Sequence, residues 1–202
     1  MMSRNTVSHK EKAFKIGIFD FEMTNLHADF GYALCGVIKD YHSDEVEILR
    51  VDECQVTETP RCACGLYHWD DLPLAVKLRD TLQEYQIIVS WNGINFDIPF
   101  LNSRLLLGNE RGITSAFFGK ARHKDLLMIA RKSLATHSKR LDSVAKFFEF
   151  SNQKTPLEPK LWVAAAGGCT VSLDSIVEHC VADVLVLEEA FEKMKNLLDI
   201  NW

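Results

Sequence analysis

The chain has 202 residues and is 47% hydrophobic, enough for one domain with a sizeable core. No apolar run approaches ~20 residues, which argues against a membrane span, and the polar stretch 1–12 lacks the apolar centre of a secretory signal. The net charge of −5 disfavours a nonspecific coat on DNA, but residues 120–160 carry ten Lys/Arg against four acids, a local +6 that leaves −11 on the remainder.

Residues 1–14 are expected to form a flexible lead-in, followed by a single domain over 15–202 with a loop insertion at about 52–71. The first element is the strand Lys15 to Glu22. Side chains alternate faces along a strand, so Asp20 and Glu22 point one way and Phe19 and Phe21 the other. Two acids about 7 Å apart on one face of a buried strand repel unless a cation sits between them. A divalent metal held by oxygen ligands is the simplest such cation.

After a loop from Met23 to Asp29, Phe30 to Asp40 and Val46 to Val51 read as two further strands. Tyr41 to Asp44 forms the hairpin turn between them. Three strands at this spacing suggest an antiparallel meander. The stretch 52–71 has a different composition. Its Cys54, Cys62, Cys64 and His68 are either ordinary thiols with a histidine or a zinc clip, although Cys62 and Cys64 form a single CxC. With no signal peptide, the six cysteines read as reduced thiols in a cytoplasmic setting.

Leu72 to Tyr85 has helical spacing, and Gln86 to Trp91 is a short β-rich run. Asp97 to Leu107 reads as a helix with Pro99 in its first turn and Gly108 just past its end. A short strand is expected within Phe117 to Lys124. Helices then follow over Asp125 to Leu134, Leu141 to Phe148, Leu161 to Ala166 and Ser172 to Leu198, the last capped by Ser172 or Asp174. The order fits an α/β fold: a mixed five-stranded sheet, three antiparallel strands then parallel ones, flanked by helices.

Two more acids stand at telling positions. Asp97 follows the turn Asn92-Gly93-Ile94-Asn95-Phe96, where it is either a helix N-cap or a further metal oxygen. His179 and Asp183 are i and i+4 on the last helix and share one face, as a surface pair or as site residues.

Together the Asp-x-Glu closing the first strand, the Asn-Gly-x-x-Phe-Asp after a middle strand and the His-x-x-x-Asp on a late helix resemble the DEDD, or DnaQ-like, 3′–5′ exonuclease superfamily on the ribonuclease H-like fold. The resemblance spans about residues 15–198. The middle of the chain, with Asp125-Leu126-Leu127, Leu141-Asp142-Ser143-Val144 and Lys154, is similar to the predicted ribonuclease H-like exonucleases of phages and bacteria. The resemblance implies two Mg²⁺ or Mn²⁺ ions on Asp20, Glu22, Asp97 and Asp183. It also implies a substrate that is single-stranded DNA or RNA with a 3′ end. One branch of the superfamily has Tyr four positions before the last acid and the other has His five before. Here His179 stands at the four-residue spacing and Glu178 at five, so His179 is the first candidate for the general base.

Leu26 and Phe96 are candidates to stack on terminal bases, Phe96 being equally a core residue. Asn92 is a candidate to hold the turn or touch a terminal sugar. Lys124, Arg131, Lys154 and Lys160 are candidates for phosphate contacts. Two other readings remain: a non-catalytic nucleic-acid-binding module on the same fold, and a ribonuclease H-like endonuclease. A binder has no need of four acids that repel phosphate. Such endonucleases usually carry a single acid on the first strand.

Overall fold

A computed structural model describes residues 14–54, 69–108, 122–153 and 155–199. Among the described residues, five strands form one sheet: β1 (Ile16–Met23), β2 (Ala33–Asp40), β3 (Val46–Arg50), β4 (Ile87–Ser90) and β5 (Arg122–Asp125). Their spatial order is β3-β2-β1-β4-β5. The pairs β1–β2 and β2–β3 are antiparallel, while β1–β4 and β4–β5 are parallel. The mixed sheet expected from the sequence is the sheet observed.

The helices are α1 (Leu72–Gln83), α2 (Asp97–Leu107), α3 (Leu126–Ser133), α4 (Leu141–Phe147), α5 (Pro159–Ala166) and α6 (Thr170–Met194). They cover both sheet faces, which is why β1 and β2 are almost continuously buried. Along β1 the odd residues face α1 and α2. Phe21 meets the Phe100 ring edge-on, and Gly36, opposite Phe21 in the register, lets Leu78 of α1 come so close that an added Cβ would lie 2.9 Å from it. The even residues, including Asp20 and Glu22, face α6, which packs across β1 and β2.

Some boundaries differ from the sequence reading. β2 begins at Ala33, not Phe30: Phe30 is 77% exposed and belongs to a loop in which the Thr24 and Tyr32 backbones are joined at 3.0 Å. α6 begins at Thr170 with Cys169 in the cap position, so neither Ser172 nor Asp174 caps it. Ser172 is buried within the first turns, and Asp174 pairs with Arg50 at 2.7 Å. α5 starts at Pro159, whose fixed φ suits a first helical turn. β5 lies at the C-terminal end of its expected window, and residues 109–121 fall outside the described residues. Of the zinc candidates, Cys62, Cys64 and His68 fall outside them too, while Cys54 is a free thiol. No helix among the described residues is long and apolar enough to cross a membrane.

Candidate active site

β1 and β4 run parallel side by side, so their C-terminal ends open on the same edge of the sheet. β1 delivers Asp20 and Glu22 there. β4 delivers the chain into the turn 91–96 and then Asp97, the first residue of α2. α6 crosses above and supplies His179, Cys180 and Asp183. Elements distant in sequence therefore bring Asp20, Glu22, Asp97 and Asp183 to one place.

His179 Nε2 lies 3.9 Å from Glu22 Oε1 and 3.7 Å from Asp183 Oδ2. One ligating atom from each of Glu22, His179 and Asp183 fits within 4.8 Å of the others, a grouping able to hold a metal ion. On its far side, His179 Nδ1 is 2.9 Å from Thr155 Oγ1, and the ring stands edge-on to Trp162.

Phe96 holds the cap position of α2 and Asp97 is the first helical residue, which removes the N-cap reading. Its carboxyl is held well above the usual carboxylate range. Burial is the first cause and the neighbouring Asp20 the second, with Asp125 adding to them against the Asp97 backbone N–H. The Cys180 Sγ–H donates to Asp20 Oδ2 at 3.7 Å. Burial, then Cys35, Asp20 and Glu22, push this thiol well above its ordinary value, so it faces Asp20 as a neutral donor. Acids packed so closely that one resists ionisation are the donor set expected for a hard divalent cation.

The turn carrying Asp97 is fastened from β5. Asn92 adopts a left-handed backbone, φ 72°. The Asp125 carboxylate accepts from Asn92 N at 2.9 Å and Ile94 N at 3.2 Å, and from Leu127 N at 3.0 Å, where it caps α3. Ser90 Oγ accepts from Gly93 N at 3.1 Å and lies 2.7 Å from His123 Nε2. A Cβ on Gly93 would sit 2.4 Å from Ser90 Oγ and 3.3 Å from Asp97 Oδ2, so only glycine fits. Burial lowers the His123 pKa to about 4, against a weaker opposite pull from Asp125, and the ring is neutral at pH 7.

Two cavities flank the acids. The larger, about 840 Å³, is lined by Asp20, Asp183, Asn92 and Trp91 together with Arg131, Lys139, Arg140 and Lys146. The smaller, about 650 Å³, contains Leu26 and Phe96. Leu26 is 69% exposed and lines the concave surface, while Phe96 is half-buried, lining it and packing against the core as well. Lys124 lines neither cavity; its Nζ donates to the Asp199 carbonyl at 3.1 Å. Lys160 is ion-paired with Glu158. Lys154 lies outside the described residues.

Sequence reasoning missed Asp125 as a site element, along with Ser90, His123, Cys180, Thr155 and Trp91. An aspartate directly before a helical run signals an N-cap, and Asp125 does cap α3. That signal does not show that the same carboxylate also binds a turn from another strand.

Comparison with known proteins agrees with this architecture. The sequence profile of the RNase_H superfamily matches residues 17–195. No curated protein matches the chain's sequence. Among solved structures, the chain is similar to the family B DNA polymerase from the hyperthermophilic archaeon Pyrobaculum calidifontis, with TM-score 0.67 and 17% identity over 91% of this chain. It spans only 25% of that polymerase's length, and the likeness is one of fold. The profile covers nearly every element that builds the acidic edge, and the chain belongs to the RNase_H superfamily.

Proposed function

We propose that the chain is a metal-dependent 3′–5′ exonuclease. It would hydrolyse phosphodiester bonds at single-stranded DNA or RNA ends, with residues 15–202 acting as one exonuclease domain. The observation that carries this reading is the convergence at the end of β1 of Glu22 and Asp183 beside His179 and of Asp97 beside Asp20. The 3′–5′ polarity comes from the resemblance of the three motifs.

Two divalent cations, Mg²⁺ or Mn²⁺, supply charge at the attacking and leaving oxygens of an in-line displacement when bound. Asp20, Glu22, Asp97 and Asp183 are the residues that would hold them. Cys180 orients Asp20 through its S–H. His179 accepts a proton from the attacking water at Nε2. For that, Nδ1 carries the other proton and donates it to Thr155 Oγ1. Leu26 and Phe96 offer apolar surface to the terminal base, and Asn92 lines the same cavity as Asp20.

The test is digestion of 5′-labelled single-stranded DNA and RNA with Mn²⁺ or Mg²⁺. The expected product is a ladder shortened one nucleotide at a time from the 3′ end, lost with EDTA and with Asp20→Ala. Cleavage of circular single-stranded DNA would instead favour an endonuclease. Metal binding and nucleic-acid binding without cleavage would favour a non-catalytic module.

A further inference from the structure

Without bound cations the acids repel the phosphates of a polynucleotide, so its affinity there must come from elsewhere. The large cavity has a wall of the opposite sign. Arg131 comes from the last turn of α3, Arg140 from the cap position of α4 and Lys146 from the last turn of α4. Lys139 joins them from the connection, its Nζ donating to the Thr136 carbonyl. Beside them in the lining, Asp142 lies 3.9 Å from Lys146 and offsets part of their charge. Asp20 and Asp183 close the same cavity on its other side, and Trp91 lies beside Asn92. The local +6 of residues 120–160 is thus aimed in part into the cavity that ends on the acidic cluster.

We propose that a single nucleic-acid strand reaches the acids along this wall, with its phosphates on Arg131, Arg140 and Lys146 and a base stacked on Trp91. The inference deepens the nuclease reading and rests on it for the identity of the polymer. Guanidinium groups bind phosphate bidentately, and two of the three cations are arginines. Indole is a stacking platform for any base, which suits a strand taken without regard to sequence.

Binding in EDTA separates this proposal from catalysis, because nothing is then cleaved. The probes are fluorescent twelve-nucleotide single-stranded DNA and RNA, followed by anisotropy from 50 to 300 mM KCl. Each phosphate contact contributes about 0.7 to the slope of log K against log salt for a single strand. Arg131→Ala and Arg140→Ala should each weaken binding several-fold and reduce that slope by about 0.7. Trp91→Leu should weaken binding with the slope unchanged, and Trp91→Phe should restore it. Lys77→Ala, on α1 across the sheet, is the control and should change nothing. Comparing the DNA and RNA probes shows which polymer the wall prefers. Unchanged affinity and slope in the double variant Arg131→Ala/Arg140→Ala overturns the proposal, as does failure of the unaltered protein to bind either probe. If the slopes shift as stated but no strand is degraded with Mn²⁺, the wall stands and the nuclease reading falls.

Discussion

Asp125 Oδ1 accepts the backbone N–H of Asn92 at 2.9 Å, and Asn92 is held in a left-handed conformation. The register Ser90↔Asp125 makes the contact possible, because it sets the end of β5 directly beside the end of β4. A carboxylate on one parallel strand thereby shapes the turn leaving its neighbour, and that turn aims Asp97 at Asp20. Removing the carboxylate strands three N–H groups, those of Asn92, Ile94 and Leu127. Asp125→Ala should lower stability by about 3 kcal/mol, measured by urea denaturation. It should also cut the Mn²⁺-dependent nuclease rate by roughly 10²-fold through misplacement of Asp97. Asp125→Asn should be milder, since it keeps one acceptor oxygen. Equal stability of the Ala variant and the unaltered protein would show that the turn is set by other contacts.

The His123 ring gives the same corner a pH dependence. Its folded pKa of about 4 lies below the ~6.5 of an unperturbed histidine. The unfolded chain therefore takes up the proton first as pH falls. Stability from this group is complete above ~6.5 and is lost progressively toward pH ~4, by up to about 3 kcal/mol. His123→Gln keeps a polar partner for Ser90 without the titration. The variant's stability curve should fall less steeply than the original between pH 6.5 and 4, measured by denaturant midpoints at each pH. Parallel curves would mean that folding leaves the proton affinity of His123 unchanged.

Asp97 predicts the reverse sign. Its folded pKa is raised by burial and by Asp20, so its penalty is absent below the unfolded value near ~3.9 and grows as pH rises through it. At pH 7 in EDTA, Asp97→Asn should stabilise the protein by about 1–2 kcal/mol, since a neutral amide removes the repulsion. Mn²⁺ should raise the melting temperature of the unaltered protein and leave that of the variant nearly unchanged. A variant less stable than the original in EDTA would sink the idea that the acids repel one another in the metal-free protein.

Much of this site was readable in the sequence because it sits where patterns change. The alternation in Phe19-Asp20-Phe21-Glu22 assigns both acids to one face, and Pro99 and Gly108 bracket α2 as written. Less readable were features set by packing between elements. Lys124 counted as a phosphate contact by its charge, but its side chain runs to the Asp199 carbonyl beyond α6. The caps expected at Ser172 and Asp174 failed because the chain re-enters a helix directly after Gly168, whose φ of 92° turns it out of α5. The basic stretch was visible as charge. That Arg131, Arg140 and Lys146 share a cavity with Asp20 and Asp183 depends on how α3 and α4 lie against α6, which no local signal encodes.

The histidine at the spacing where one branch has tyrosine makes the sharpest prediction. His179 Nε2 faces Glu22 and Asp183, while Thr155 engages Nδ1 at 2.9 Å. If Nε2 accepts the proton from water, His179→Ala should lower kcat by 10²–10⁴, the usual contribution of a general base, with a smaller change in KM. His179→Tyr should restore part of the rate with a shifted pH profile. Thr155→Val leaves Nδ1 without its partner and should lower kcat by about tenfold, as loss of a ring-orienting contact commonly does. Thr155→Ser keeps the hydroxyl and should remain close to the original. Full activity of both His179 variants from pH 6 to 9 would remove the ring from proton transfer and leave it as a possible ligand beside Glu22 and Asp183. Mn²⁺ titration by calorimetry separates the two roles, since loss of a base leaves the affinity intact and loss of a ligand lowers it by more than the roughly 10–100-fold that loss of a group behind a ligand costs.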